Sequence, residues 1–107
     1  MNDLTRELKH LITLMYKEML CRQDTLGRDK ANYFSNSNEI RDIFLPNASE
    51  EYVSELCWKL KSKGYISCLP GDNLANHIKI EDKTVIYFEN KFGKNLSAIA
   101  EFLLKIK

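Results

Sequence analysis

Between Ser49 and Ile80 the hydrophobic period of the chain switches from helical to extended within a few residues, and that switch restricts the available folds more than any other feature. Val53, Leu56, Cys57 and Leu60 recur at steps of three and four, the spacing of one apolar helix face, and Ser49 can cap the free N–H groups of the first turn. Gly64 closes the pattern as the residue that tolerates a left-handed conformation. Immediately after it, Tyr65 to Leu69 and His77 to Ile80 each alternate with a period of two, which makes Ile66, Cys68, Ile78 and Ile80 the inward positions. The seven residues between them, Pro70 to Asn76, are turn formers expected to make a loop, with Leu74 exposed or folded back. A helix feeding directly into a small hairpin excludes an all-helical bundle and predicts a mainly helical α+β chain.

The rest of the pattern surrounds this unit with helices. Leu4, Leu8, Leu11, Ile12, Met15, Met19 and Leu20 form one stripe of a helix over residues 3–21. Arg22 to Phe34 breaks the period and reads as a polar loop ending in a short extended piece, Asn32 to Phe34. It serves either as a flexible connection or as an arm that touches a partner through Arg22, Arg28 and Lys30. Asn36 with Glu39 has the spacing of reciprocal capping, Ile40, Ile43 and Phe44 line a short helix, and Pro46 stops it. Asp82 is expected to cap a helix carrying Val85, Ile86, Phe88 and Phe92 that ends at Gly93. Asn95 opens a last helix over residues 95–106 with Leu96, Ile99, Ala100, Leu103 and Ile106. With 107 residues, no repeat and no linker-like stretch, residues 1–107 form one domain, with a core at 36–92 and flanking helices at 3–21 and 95–106.

Charge narrows the partners. Sixteen Lys and Arg against fifteen Asp and Glu leave +1, so no global field draws the chain to nucleic acid or to an anionic membrane. Locally, Lys59, Lys61, Lys63, His77 and Lys79 fall between Leu56 and Ile80 with only Asp72 opposing them; the run is either a solvated face or a basic patch. The first twenty residues interleave charged and apolar positions, unlike a signal peptide, and no segment nears the roughly 18 apolar residues that span a bilayer. A cytoplasmic protein without membrane contact is expected. Twelve Lys against four Arg, with abundant Asn, point to a bacterial or mobile-element source.

Catalytic chemistry finds little to work with. Cys21, Cys57 and Cys68 are odd in number and irregularly spaced, so reduced thiols are expected in place of a disulfide framework. Together with His10 and His77 they contain no metal-ligand spacing. No Ser or Cys is set beside a His as an activated nucleophile, and Gly27, Gly64, Gly71 and Gly93 are scattered, which excludes a glycine-rich phosphate loop. No enzyme activity, metal or cofactor is expected.

The run Lys61-Ser62-Lys63-Gly64-Tyr65-Ile66, and the strand exit Ile80-Glu81-Asp82-Lys83-Thr84, resemble the small bacterial and phage-type domains of the winged helix-turn-helix superfamily. The likeness covers roughly Asn36 to Phe92; Glu81 stands where Thr is frequent and Thr84 where Gly is frequent. It implies a winged helix with a β-hairpin wing and extra C-terminal helices. It also implies a transcriptional regulator that binds double-stranded DNA, with the helix from Ser49 to Ser62 in the major groove and Pro70 to Asn76 beside the backbone.

The outward positions of that helix are Glu50, Glu51, Ser54, Glu55, Trp58, Lys59 and Lys61, so the half that normally reads bases is acidic. Carboxylates there face a polyanion with one charge per about 1.7 Å, whereas acids in a first turn also gain up to about 1 kcal/mol each from the helix dipole. Two readings follow. In one, Lys59, Lys61, Lys63 and His77 bind DNA with the wing residues Asn73, Asn76 and Lys79. In the other, the scaffold is a protein-interaction module, an adaptor or inhibitor, that presents Glu50, Glu51, Tyr52, Glu55 and Trp58. A homodimer through the first and last helices is expected, because winged helices gain affinity by contacting two half-sites.

Overall fold

The first helix runs further than its apolar stripe suggests. The structure, a computed structural model, describes residues 1–106, apart from the side chain of Arg28, and places α1 at Arg6–Leu26. Thr5 caps its start by accepting from the N–H of Leu8 at 3.3 Å. The break expected after Cys21 does not occur, because Arg22 forms an i,i+4 ion pair with Glu18 at 2.9 Å and lays its guanidinium over the Phe34 ring, 4.5 Å from the centroid. Gly27, at φ +80°, ends the helix instead. The expected loop from Arg22 to Phe34 is thus the end of α1, a one-turn helix α2 (Arg28–Ala31) and the start of strand β1 (Tyr33–Asn36). Of the proposed arm, Arg22 is held in place, Lys30 is exposed, and the Arg28 side chain lies outside the described residues.

Helices α3 (Ser37–Phe44) and α4 (Glu50–Ser62) follow, joined by the turn at Pro46. Asn36 accepts from the N–H of Glu39 at 3.0 Å as expected, while the Glu39 carboxylate reaches one residue further back, to the N–H of Ser35 at 3.2 Å. Ser49 caps α4 by accepting from the N–H of Tyr52 at 3.1 Å. Val53, Leu56, Cys57 and Leu60 are all buried. Ser54, expected outward, is buried as well, because α4 is enclosed by α3 on one flank and by the hairpin on another. Gly64 follows at φ +83°, which turns the chain into strand β2 (Ile66–Gly71).

Strand β3 (Leu74–Ile80) is central in a three-stranded antiparallel sheet of order β1-β3-β2. The seven-residue loop expected over Pro70 to Asn76 is replaced by a two-residue turn, since Pro70 pairs with Ala75 and Gly71 with Leu74. Asp72 (φ +52°) and Asn73 (φ +62°) both sit in the left-handed region, and the twist of a turn with two such residues matches that of paired strands. Asn76 braces it, its side-chain amide donating to the carbonyls of Gly71 (2.7 Å) and Leu74 (3.3 Å). The β2–β3 register shifts between Ser67 and Leu69, where His77 stands at φ +51°. That bulge moves the inward phase of β3 from Ala75 to Ile78 and Ile80, all at most 2% exposed.

Helices α5 (Asp82–Phe92) and α6 (Leu96–Ile106) complete the chain. Asp82 is the first helical residue, not the cap; that position belongs to Glu81, whose side chain makes no capping bond, and the Thr84 hydroxyl donates instead to the carbonyl of Tyr65 at 2.8 Å. Asn95 caps α6 through the N–H of Ala98 at 3.1 Å. One apolar core unites both ends of the chain: Tyr16 of α1 stacks on Phe88 of α5 with centroids 4.8 Å apart, and Ile99 of α6 is fully buried. Ile43, Ile86 and Leu96, expected inward, are 41%, 55% and 42% exposed; Ile86 falls two positions from Phe88 and so on the far side of α5, and Leu96 is the first residue of α6. No described helix is long and apolar enough to cross a membrane.

Candidate functional site

The tight hairpin turn positions the candidate site. With only Asp72 and Asn73 at its tip, the hairpin reaches the first turn of α4, and Glu50, Glu51, Asp72, Asn73 and Leu74 line a single open cleft of about 210 Å³. Capping by Ser49 fixes where α4 begins, and the favourable position of acids near a positive helix end accounts for Glu50 and Glu51 in its first turn. Asp72 has no such dipole to meet, so its approach adds a third negative charge to the same cleft. Tyr52, in the same turn of α4, is 43% exposed, and Leu69 on β2 is 59% exposed.

The remaining expected interaction residues of α4 are partly occupied among themselves. Glu55 pairs with Lys59 at 3.2 Å, both groups largely in solvent. Trp58 is half-buried against the core, and Lys61 stands over its ring, 5.3 Å from the centroid. Lys63 is exposed just past the helix, and its carbonyl accepts from the Lys83 ammonium at 2.9 Å. The ammonium of Lys83 also lies 4.3 Å from the Tyr65 ring centroid. The exposed cations Lys61, Lys63 and Lys83 therefore gather around the C-terminal end of α4, away from the acidic first turn.

The rest of the expected DNA set divides between two other places. Asn73 lines the acidic cleft, and Asn76 is spent on the turn. His77 and Lys79 are exposed on the outer face of β3; the Tyr33 hydroxyl and His77 Nδ1 are 3.0 Å apart, and Lys79 is the cross-strand partner of Tyr33. Lys79 also lines a larger open groove, about 700 Å³, together with Arg22, Leu26, Asp29, Lys30, Tyr33, Ser35 and Glu39. Sequence reasoning missed this groove, although the alternation of Tyr33 and Ser35 about the buried Phe34 is its local signal.

Burial pushes the Cys57 thiol up to about 12, and burial likewise raises that of Cys68, so both remain protonated packing groups. Among the described residues no three His, Cys, Asp or Glu side chains are placed to hold a metal ion, the cleft carboxylates included. No family model, no curated protein and no solved structure matches the chain.

Proposed function

We propose that this chain is a protein-interaction module on a winged-helix scaffold, and that it presents the first turn of α4 and the hairpin tip to a partner whose contact surface carries Lys or Arg around an apolar patch. The observation that carries the reading is the gathering of Glu50, Glu51 and Asp72 in one cleft, next to the exposed Tyr52. On a winged helix this is the face a duplex meets, and here phosphates would approach three carboxylates with no Lys or Arg lining the same cleft. A basic protein surface meets the same charges favourably, and an exposed aromatic in the same helical turn is the kind of group that anchors such contacts.

Double-stranded DNA is the second reading, and one observation favours it: Lys61, Lys63 and Lys83 cluster at the other end of α4. A pair of experiments separates the two. Anisotropy of a labelled 30-base-pair duplex at low salt is expected to show no saturable binding; binding with a steep salt slope that disappears in a Lys61→Glu, Lys63→Glu variant would replace the proposal. Capture from nuclease-treated extract with a photo-crosslinker at Tyr52 is expected to yield a protein adduct that is lost when Glu50 and Glu51 are changed to Lys. An adduct indifferent to that reversal refutes the acidic cleft as the contact.

A further inference from the structure

The groove at the C-terminal end of α1 has a different chemistry from the acidic cleft. Its volume of about 700 Å³ falls within the roughly 300–1,000 Å³ of small-molecule sites. Leu26 is 48% exposed there, and Tyr33 offers its ring on the outer face of β1. The charges that line it are unequally engaged. Arg22 is held by Glu18 and by the carbonyl of Tyr33 at 3.0 Å, and Glu39 is held by the N–H of Ser35. Lys30 and Lys79 form no ion pair among the described residues. Asp29 is the one remaining carboxylate, so the uncommitted charge is positive.

We propose that this groove binds a small molecule with a planar apolar body and one anionic group. Tyr33 and Lys79 are direct cross-strand partners, which puts both side chains on the same face of the sheet at neighbouring positions, with the Tyr33 hydroxyl 3.0 Å from His77 Nδ1. A flat ligand resting on Tyr33 and Leu26 thereby places its carboxylate or sulfonate within reach of Lys79, with Lys30 contributing from α2. Two point charges and an aromatic platform select for charge and planarity, not for a particular scaffold.

The probe is 8-anilinonaphthalene-1-sulfonate, followed by fluorescence titration, with N-phenyl-1-naphthylamine as its uncharged counterpart. One sulfonate probe per chain is expected, with Kd raised at least tenfold by Lys30→Glu with Lys79→Glu and also by Tyr33→Ala. Leu104→Glu, at a 73% exposed position on α6, is expected to leave it unchanged. The uncharged probe is expected to bind at least tenfold more weakly. Circular dichroism establishes that each variant is folded. Absence of saturable binding, equal affinity for the two probes, insensitivity to the Lys and Tyr substitutions, or loss of binding in Leu104→Glu would overturn the proposal.

Discussion

Replacing Asn73 by alanine and, separately, by glycine distinguishes the two-residue hairpin turn from the seven-residue loop that composition suggests. Asn73 sits at φ +62° in the turn, a conformation that costs an ordinary L-residue about 1–2 kcal/mol and that Asn adopts more readily than Ala. Asn73→Ala is therefore expected to lose about 1 kcal/mol, and Asn73→Gly to be neutral or to gain a few tenths. The loss reaches global stability because β3 is paired on both edges and Ile66, Ile78 and Ile80 are at most 2% exposed, so the hairpin does not open independently of the core. Urea unfolding measures the difference directly; in a thermal scan it amounts to about 4–8 °C for a chain of about this size. In a mobile loop both substitutions would stay within about 0.5 kcal/mol of wild type. Equal stability of the Ala and Gly variants, or destabilisation by Gly, would refute the tight turn and with it the placement of Asp72 in the acidic cleft.

Phe88 is fully buried, stacked on Tyr16 and edge-on to Tyr87 at 5.3 Å, so Phe88→Ala is expected to cost about 3–5 kcal/mol by calorimetry; a loss below about 1 kcal/mol would mean that α5 is not docked on α1. With Cys21 exposed and Cys57 and Cys68 buried, Ellman's reagent at pH 8 is expected to modify one thiol rapidly and the other two only on unfolding, and three fast thiols would contradict the core. The Tyr65 hydroxyl donates to the Asp3 carboxylate, a contact that lowers the Asp3 carboxyl below its usual 3.8, while burial, then that contact, pushes Tyr65 from 10.0 up to about 12. The Asp3 contribution to stability is complete above about pH 3.8 and lost as pH falls through the lowered value; the Tyr65 contribution is complete below about pH 10 and lost as pH rises towards 12. Urea midpoints of wild type minus Tyr65→Phe are therefore expected to shrink at both ends of the scale, and a pH-independent difference would refute the coupling.

What the sequence makes legible, and what it hides, follows from the distance over which each feature is decided. The caps at Asn36, Ser49 and Asn95 and the stop at Gly64 are local, involving a side chain and a backbone group within a few residues, and each appears where its spacing places it. Strand β1 is legible only as a short extended piece at Asn32 to Phe34; its place in the sheet is hidden, since Tyr33 finds its partner at Lys79, far along the chain. The bulge at His77 is similarly hidden, because the left-handed backbone there is imposed by the need to return Ile78 and Ile80 to the core face. The candidate site divides along this line. That α4 begins with two carboxylates is plain from the chain, but a loop of seven residues would leave Asp72 free to avoid them. A turn of two residues removes that freedom. It holds Asp72 at the cleft that Glu50 and Glu51 also line, and the turn is kept in that place by its own hydrogen bonding through Asn76 and by the burial of the strands behind it. If the proposed cationic partner exists, it meets carboxylates whose placement the hairpin has already set, and a contact surface ordered in advance lowers the cost of binding.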